Sequence, residues 1–110
     1  MQYGRELKFV AGGIKLVAIT GSDANEAALT LGALYRMSYS STSAASALPG
    51  AVVVRFGSSA ATAADGGGDF CINAGESIIV RATSATIHAI GIGGAGATGS
   101  LYCAKIDEGA

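Results

Sequence analysis

The chain carries little charge. Asp, Glu, Lys and Arg make up only 14% of its 110 residues, whereas an ordinary soluble domain has about 25%. Much of the exterior must therefore consist of small uncharged side chains. A surface of this composition is typical of a protein that another surface covers.

No charge of one sign predominates, and long apolar runs are missing. Seven basic and eight acidic residues give a net charge of −1, so the chain lacks the basic surface that binds nucleic acid or anionic lipid. The uncharged apolar run near the N-terminus, residues 16–19, is far shorter than the roughly 20 residues of a membrane span. No secretion-signal pattern is present. We expect synthesis in a cytoplasm, with neither nucleic acid nor membrane as a partner.

Short alternating or wholly apolar runs, separated by stretches of Gly, Ala, Ser and Thr, predict an all-β chain. The predicted strands cover residues 14–20, 35–40, 51–56, 70–72, 76–81, 86–92 and 100–106. In two of them the alternation predicts the inward residues, which are Tyr35, Met37 and Tyr39, then Val52, Val54 and Phe56. This series predicts an antiparallel β-sandwich or jelly-roll-like domain of about six to eight short strands over residues 14–110.

Two segments near the N-terminus are predicted to lie outside the strands. Residues 1–13 are predicted to form an extended arm rather than a core strand, because Gly4, Gly12 and Gly13 are flexible points within them. Farther along, Asp23 is followed three residues later by Glu26, a pattern typical of a helix start. We expect one or two helical turns there.

Two motifs that could bind a ligand occur in the wrong context. The string GIGGAG at 91–96 matches the dinucleotide fingerprint, but a strand follows it, so no helix N-terminus is available for a phosphate. The oxygen donors Asp65, Asp69, Asn73 and Glu76 lie close in sequence, yet their spacing fits no EF-hand loop. We expect neither a cofactor nor a metal.

The single histidine and the two cysteines all fall within predicted strands. His88 lacks the convergent partners of a metal site or a catalytic triad, and it is expected to face solvent or a neighbouring strand. Cys71 and Cys103 are expected to be small buried hydrophobes. A disulfide between them is possible only if their strands are neighbours. We therefore expect no catalytic residue and no enzymatic activity.

Single cations mark four different predicted strands, at Arg36, Arg55, Arg81 and Lys105. One interpretation is that these cations lie on strand faces exposed to water, where they discourage edge pairing. The other is that two or three of them align across a sheet to meet acidic residues of a partner.

Four segments follow one another in a recognisable order. They are LYRM at 34–37, VVRFG at 53–57, FCINAGE at 70–76 and GSLYCAKI at 99–106. This layout resembles that of small structural proteins of tailed bacteriophages, over about two-thirds of the chain. The resemblance implies a β-sandwich virion component of the capsid decoration or cement type, which binds the assembled head between capsomers and stabilises it.

The same resemblance implies the partners and the location. We expect the partners to be other copies of the chain, as a trimer, and the major capsid protein, and we expect the final location to be the capsid surface. The candidate interface residues are Tyr3, Arg5, Leu7 and Phe9 of the arm, together with Arg36 and Arg55.

A β-sandwich on a tail or capsid surface could instead recognise host glycans. Sugar sites generally use exposed aromatic side chains, and this chain has no Trp, four Tyr and three Phe. Tyr35, Tyr39, Phe56 and Phe70 are predicted to belong to the core. The scarcity of aromatics favours the structural role.

Overall fold

The computed structural model describes residues 8–21, 25–41, 50–57, 68–92 and 98–108. These residues form eight β-strands and no helix. The strands are β1 (Lys8–Ile19), β2 (Asn25–Ala28), β3 (Leu34–Ser41), β4 (Ala51–Phe56), β5 (Phe70–Asn73), β6 (Ser77–Arg81), β7 (Thr86–Ile92) and β8 (Gly99–Asp107). Nothing in the described ranges could cross a membrane as a helix.

The strands form two antiparallel sheets of four. The first sheet has the order β1-β8-β3-β6 and the second the order β2-β7-β4-β5. The sheets lie face to face, with β1 against β2 at one edge and β6 against β5 at the other. The prediction of an antiparallel β-sandwich of six to eight strands is thus confirmed.

The core lies between the two sheets and is built from alternate residues of each strand. Its largest fully buried side chains are Tyr39, Ile19, Met37, Ile72, Ile87, Leu101, Val52 and Val54. The predicted inward residues of β3 and β4 are therefore confirmed, except that Phe56 is only half-buried because it ends its strand and packs at the rim of the core against Phe70.

The predicted helix after Asp23 is wrong. Residues 25–28 form β2, which pairs antiparallel with β7 from Asn25 opposite Ala89 to Ala28 opposite Thr86. The capping pattern is a local preference of modest strength. Pairing with β7 instead satisfies the backbone groups of this short segment through long-range hydrogen bonds, so the tertiary structure decides its conformation.

The predicted boundary between arm and sandwich also differs from the structure. The first strand begins at Lys8, not Ile14, and its first residues pair with the end of β8, with Lys8 opposite Asp107 and Phe9 opposite Ile106. Regular pairing resumes at Ile14, opposite Ala104. Residues 8–13 of the predicted arm therefore belong to β1, while residues 1–7 lie outside the described part of the chain.

The two cysteines lie in different sheets and are both free thiols. Cys103 is fully buried, as expected, but Cys71 is exposed. Cys71 occupies an outward position of β5, opposite Val53, because its neighbour Ile72 takes the inward position. The expectation that both thiols are buried is correct for Cys103 and wrong for Cys71.

Candidate interaction surface

The outer face of the first sheet carries large exposed apolar side chains. Ile14 is 65% exposed, Leu16 57%, Ile79 51% and Tyr102 40%. They occupy outward positions of β1, β6 and β8, since the residues next to them in sequence, such as Val17 and Cys103, point into the core. We call this set of four the apolar face.

Strand register brings these side chains together in two adjacent rows. Leu16 lies opposite Tyr102, and Tyr102 lies opposite Ser38 on β3. The next row contains Ile14, Ala104, Arg36 and Ile79. Small residues thus separate the apolar ones in the middle of the sheet, which leaves a shallow surface crossed by one cation, Arg36. Its guanidinium donates to the hydroxyl of Ser77 at 3.3 Å.

A groove of about 420 Å³ lies at the β1 end of the apolar face. Its lining comprises Phe9, Val10, Gly12, Gly13, Ile14, Arg36, Ala104 and Lys105. The groove exists because β1 bulges between Phe9 and Ile14, where the pairing with β8 is interrupted. Gly12 has φ +68°, which other residues rarely adopt, and a Cβ on Gly13 would lie 2.9 Å from the carbonyl oxygen of Val10.

The outer face of the second sheet is different in character. Its central row joins Glu26, His88 and Arg55, which lie opposite one another on β2, β7 and β4. The His88 ring is buried and held between two acceptors: Nε2 lies 3.0 Å from Glu26 Oε2, and Nδ1 donates to the Gly57 carbonyl at 2.9 Å. None of the exposed large hydrophobic residues in the described ranges lies on this sheet.

The structure brings two of the predicted interface residues together and separates a third. Phe9 and Arg36 line the same groove. Arg55 lies on the outer face of the second sheet, on the opposite side of the sandwich, so it cannot share one patch with Arg36 in a single copy. Tyr3, Arg5 and Leu7 fall outside the described residues.

The sequence reasoning missed the apolar face itself. A signal was present in β1, where Ile14 and Leu16 alternate with the inward Val17 and Ile19, so that both sides of the strand are apolar. A strand of this kind is normally covered on both faces. The SIIV run of β6, which contains Ile79, carries the same signal.

Two of the oxygen donors considered for a cation accept backbone hydrogen bonds. The Asp69 carboxylate accepts from the backbone N–H of Phe56 at 2.9 Å, and the Glu76 carboxylate accepts from the N–H of Asn73 at 3.3 Å. Asp65 lies outside the described residues, as do residues 93–96 of the glycine motif. Within the described ranges, no three His, Cys, Asp or Glu side chains lie close enough to hold a metal ion.

The thiols are not activated as nucleophiles. Burial raises the pKa of Cys103 to about 12. The pKa of Cys71 is also raised, first by partial burial and then by the negative charge of Glu76. Reactive cysteines require a lowered pKa, because the thiolate is the attacking species.

Comparisons of the chain with protein-family profiles, with curated proteins and with solved structures found no match.

Proposed function

We propose that this chain is a non-enzymatic virion structural protein of the capsid decoration or cement type. In this role it binds the assembled phage head between capsomers, stabilises the shell and associates with other copies of itself. Its location is the capsid surface, after synthesis in the host cytoplasm, and its partner there is the major capsid protein.

The apolar face is the observation that carries this proposal. Four large apolar side chains are exposed in two adjacent rows on one sheet, while the other sheet presents the polar row around His88. Contiguous exposed apolar patches on small proteins mark interaction sites. Tyr102 and Arg36 belong to residue types that are enriched at the centres of protein interfaces.

The charge on this face favours a partner other than the same face of a second copy. Arg36 lies between Ile14 and Ile79, and Lys105 lines the adjoining groove. A two-fold contact between two such faces would bring these cations near their own symmetry mates, and like charges that face each other in an interface cost binding energy. A shell surface with apolar and acidic groups is the complementary partner.

The low charge of the chain fits attachment at many equivalent positions. Uncharged small side chains cost less to desolvate than charged ones. Each contact can be weak, since an oligomer that engages several capsomers at once gains affinity through multivalency.

Co-sedimentation with empty shells of the phage that encodes the chain tests the proposal. We expect wild-type protein to sediment with the shells and to raise the temperature at which they disrupt. Leu16→Asp should weaken binding by at least about tenfold, because burying one leucine contributes roughly 1.5–3 kcal/mol.

Leu31→Asp is the matched control. Leu31 is as exposed as Leu16, at 63%, but it lies in the turn between β2 and β3 and not on the apolar face. The proposal would be overturned if wild-type protein did not sediment with the shells, or if the Leu16 variant bound them as tightly as wild type.

Selective binding on a glycan array, without shell binding, would favour the recognition role instead. Phe9 and Tyr102 are the only exposed aromatics among the described residues.

A further inference from the structure

The two edges of the sandwich differ in charge. One edge is formed by β1 and β2, and the other by β5 and β6. Lys15 and Lys105 lie near the first edge, and the exposed carboxylates of Asp69 and Glu76 lie along the second. Glu26 on β2 is also exposed at the first edge, but its carboxylate pairs with His88 on the outer face of the second sheet. The two edges are on opposite sides of the molecule, so one copy presents both charges at once.

The positive feature is a second cleft, of about 370 Å³, between the bulge of β1 and the segment that follows β2. Its polar lining consists mainly of Lys15, Lys105, Thr30 and the Tyr35 hydroxyl. We call it the lysine cleft. Carboxylates are missing from its described lining residues. The cleft also adjoins the groove that contains Arg36, because Ile14 and Lys105 line both.

Hydrogen bonds hold part of the lysine cleft in shape. Lys105 Nζ donates to the Thr30 hydroxyl at 3.3 Å, and the Thr30 backbone N–H donates to the Tyr35 hydroxyl at 2.9 Å. One lysine is therefore fixed beside the cleft by a neutral partner, and its charge remains available to an incoming carboxylate. Lys15 is exposed at the mouth of the cleft.

The negative feature consists of Asp69, just before β5, and Glu76, in the turn from β5 to β6. Both are exposed. Each uses its carboxylate to accept one backbone N–H, which leaves further lone pairs for an incoming cation. The described cation on β6 is Arg81, and its charge is balanced by an ion pair with Glu108 at 2.8 Å.

We propose that copies of this chain associate head to tail, with the lysine cleft of one copy binding Glu76 of the next, at one end of the edge that also carries Asp69. The inference rests on the self-association included in the proposed function and names its two surfaces. A contact between two different surfaces propagates from copy to copy and ends only when it closes into a ring. Because it uses the edges, it leaves Leu16 and Tyr102 free to meet the shell.

Side chains, not added strand pairing, make this contact. Lys15 takes the inward side of edge strand β1, and the bulge after Phe9 twists the same edge. Charged residues on the inner side of an edge and bulges both prevent another strand from extending a sheet. The association is therefore electrostatic, and salt weakens it.

Sedimentation velocity and native mass measurement on the purified full chain test the inference. We expect a finite oligomer at about 50 mM NaCl that dissociates toward about 500 mM, since screening shortens the reach of exposed charges. The double variant Lys15→Glu and Lys105→Glu should be monomeric at low salt. Glu76→Lys, alone and with Asp69→Lys, should also be monomeric, and the single variant keeps the test usable if the Asp69 change disturbs the fold.

Mixing the two charge-reversed proteins is the decisive step. The reversed cleft of one variant is then complementary to the reversed edge of the other, so association should return in the mixture although each variant alone is monomeric. Lys8→Glu is the control, since Lys8 is an exposed lysine on the same strand that lines neither cavity. It should keep the wild-type mass.

Three results would overturn the inference: a monomeric wild type at low salt, charge-reversed variants that keep the wild-type mass, or folded variants whose mixture stays monomeric. Shell binding is scored separately. A monomer that still sediments with shells contradicts the head-to-tail contact and leaves the proposed shell binding intact. A ring that does not sediment with shells supports the head-to-tail contact and contradicts the proposed shell binding.

Discussion

Leu16 on β1 and Tyr102 on β8 lie directly opposite each other on the outside of the first sheet, and both are exposed. Cross-strand neighbours of this kind pack against one another, but their outer surfaces stay in water. The pair therefore contributes less to the fold than a core pair would. It retains apolar area that a partner can bury.

The apolar face should bind a hydrophobic dye in the native state. We expect 8-anilinonaphthalene-1-sulfonate fluorescence with the folded protein to fall in the double variant Leu16→Ser and Tyr102→Ser, because the dye loses its apolar contacts. Unfolding free energy should change by no more than about 0.5 kcal/mol per site, as is usual for exposed positions. Leu31→Ser should leave the fluorescence unchanged, and an equal loss in that variant would contradict the assignment.

The two thiols should react at very different rates. Cys71 is exposed and Cys103 is buried, so Ellman's reagent should modify one thiol in the native protein and the second only after unfolding. The reaction of Cys71 should be slower than that of free cysteine at about pH 7.5, because its raised pKa leaves less thiolate. Cys71→Ser should show no fast reaction. Two fast thiols in native wild type would be inconsistent with the structure.

Stability should decline in alkali because of Cys103. Its pKa of about 12 in the folded protein lies above the value of about 8.5 for an unfolded thiol. The stabilisation is complete below the unfolded pKa and is lost as pH rises toward the folded one, at up to about 1.4 kcal/mol per pH unit. Burial also raises the pKa of Tyr39, which adds a loss of the same sign above about pH 10.

Urea unfolding between about pH 8.5 and pH 10 separates the effect of the Cys103 thiol on stability from that of the Tyr39 hydroxyl. Cys103→Ala should lower the free energy of unfolding overall but flatten its dependence on pH, while Cys71→Ser should keep most of the wild-type slope. Identical slopes in wild type and Cys103→Ala would rule out the buried thiol as the cause.

Gly99 should not tolerate a side chain. It is buried at the start of β8, where an added Cβ would overlap the carbonyl oxygen of Ser40 and lie 2.9 Å from the Cα of Ser41. Overpacking of this kind costs about 1–3 kcal/mol, so Gly99→Ala should lower Tm by at least about 4 °C. Ser100→Ala, one residue later, should shift Tm much less. A Gly99 variant as stable as wild type would show that β3 and β8 are farther apart at this end.

Alternation along single strands predicted the class of fold and the core residues of β3 and β4. In β3, Tyr35, Met37 and Tyr39 recur at every second position, and such a period allows only one face to be buried. The short β2 was not predictable in this way. Its four residues carry no alternation long enough to outweigh the capping pattern of Asp23 and Glu26, and only pairing with β7 makes it a strand.

The candidate site was likewise predictable from the sequence only in part. Sequence reasoning selected Phe9 and Arg36, which share a groove, but grouped them with Arg55, which the sandwich places on its other side. Position along the chain does not reveal which of two sheets a strand joins. That assignment depends on pairing between β3 and β8 and between β4 and β7, whose partners are distant in sequence.

By itself, the amino-acid sequence determined that the chain is all-β, that its exterior is poor in charge and that alternate residues of each strand form the core, because these are properties of composition and of a two-residue period. Only the tertiary structure decided that Ile14, Leu16, Ile79 and Tyr102 share one uncovered face, and that Lys15 and Lys105 line a cleft at the edge opposite Asp69 and Glu76. Those relations come from strand order and register, which arise when segments far apart in the chain pair across the two sheets.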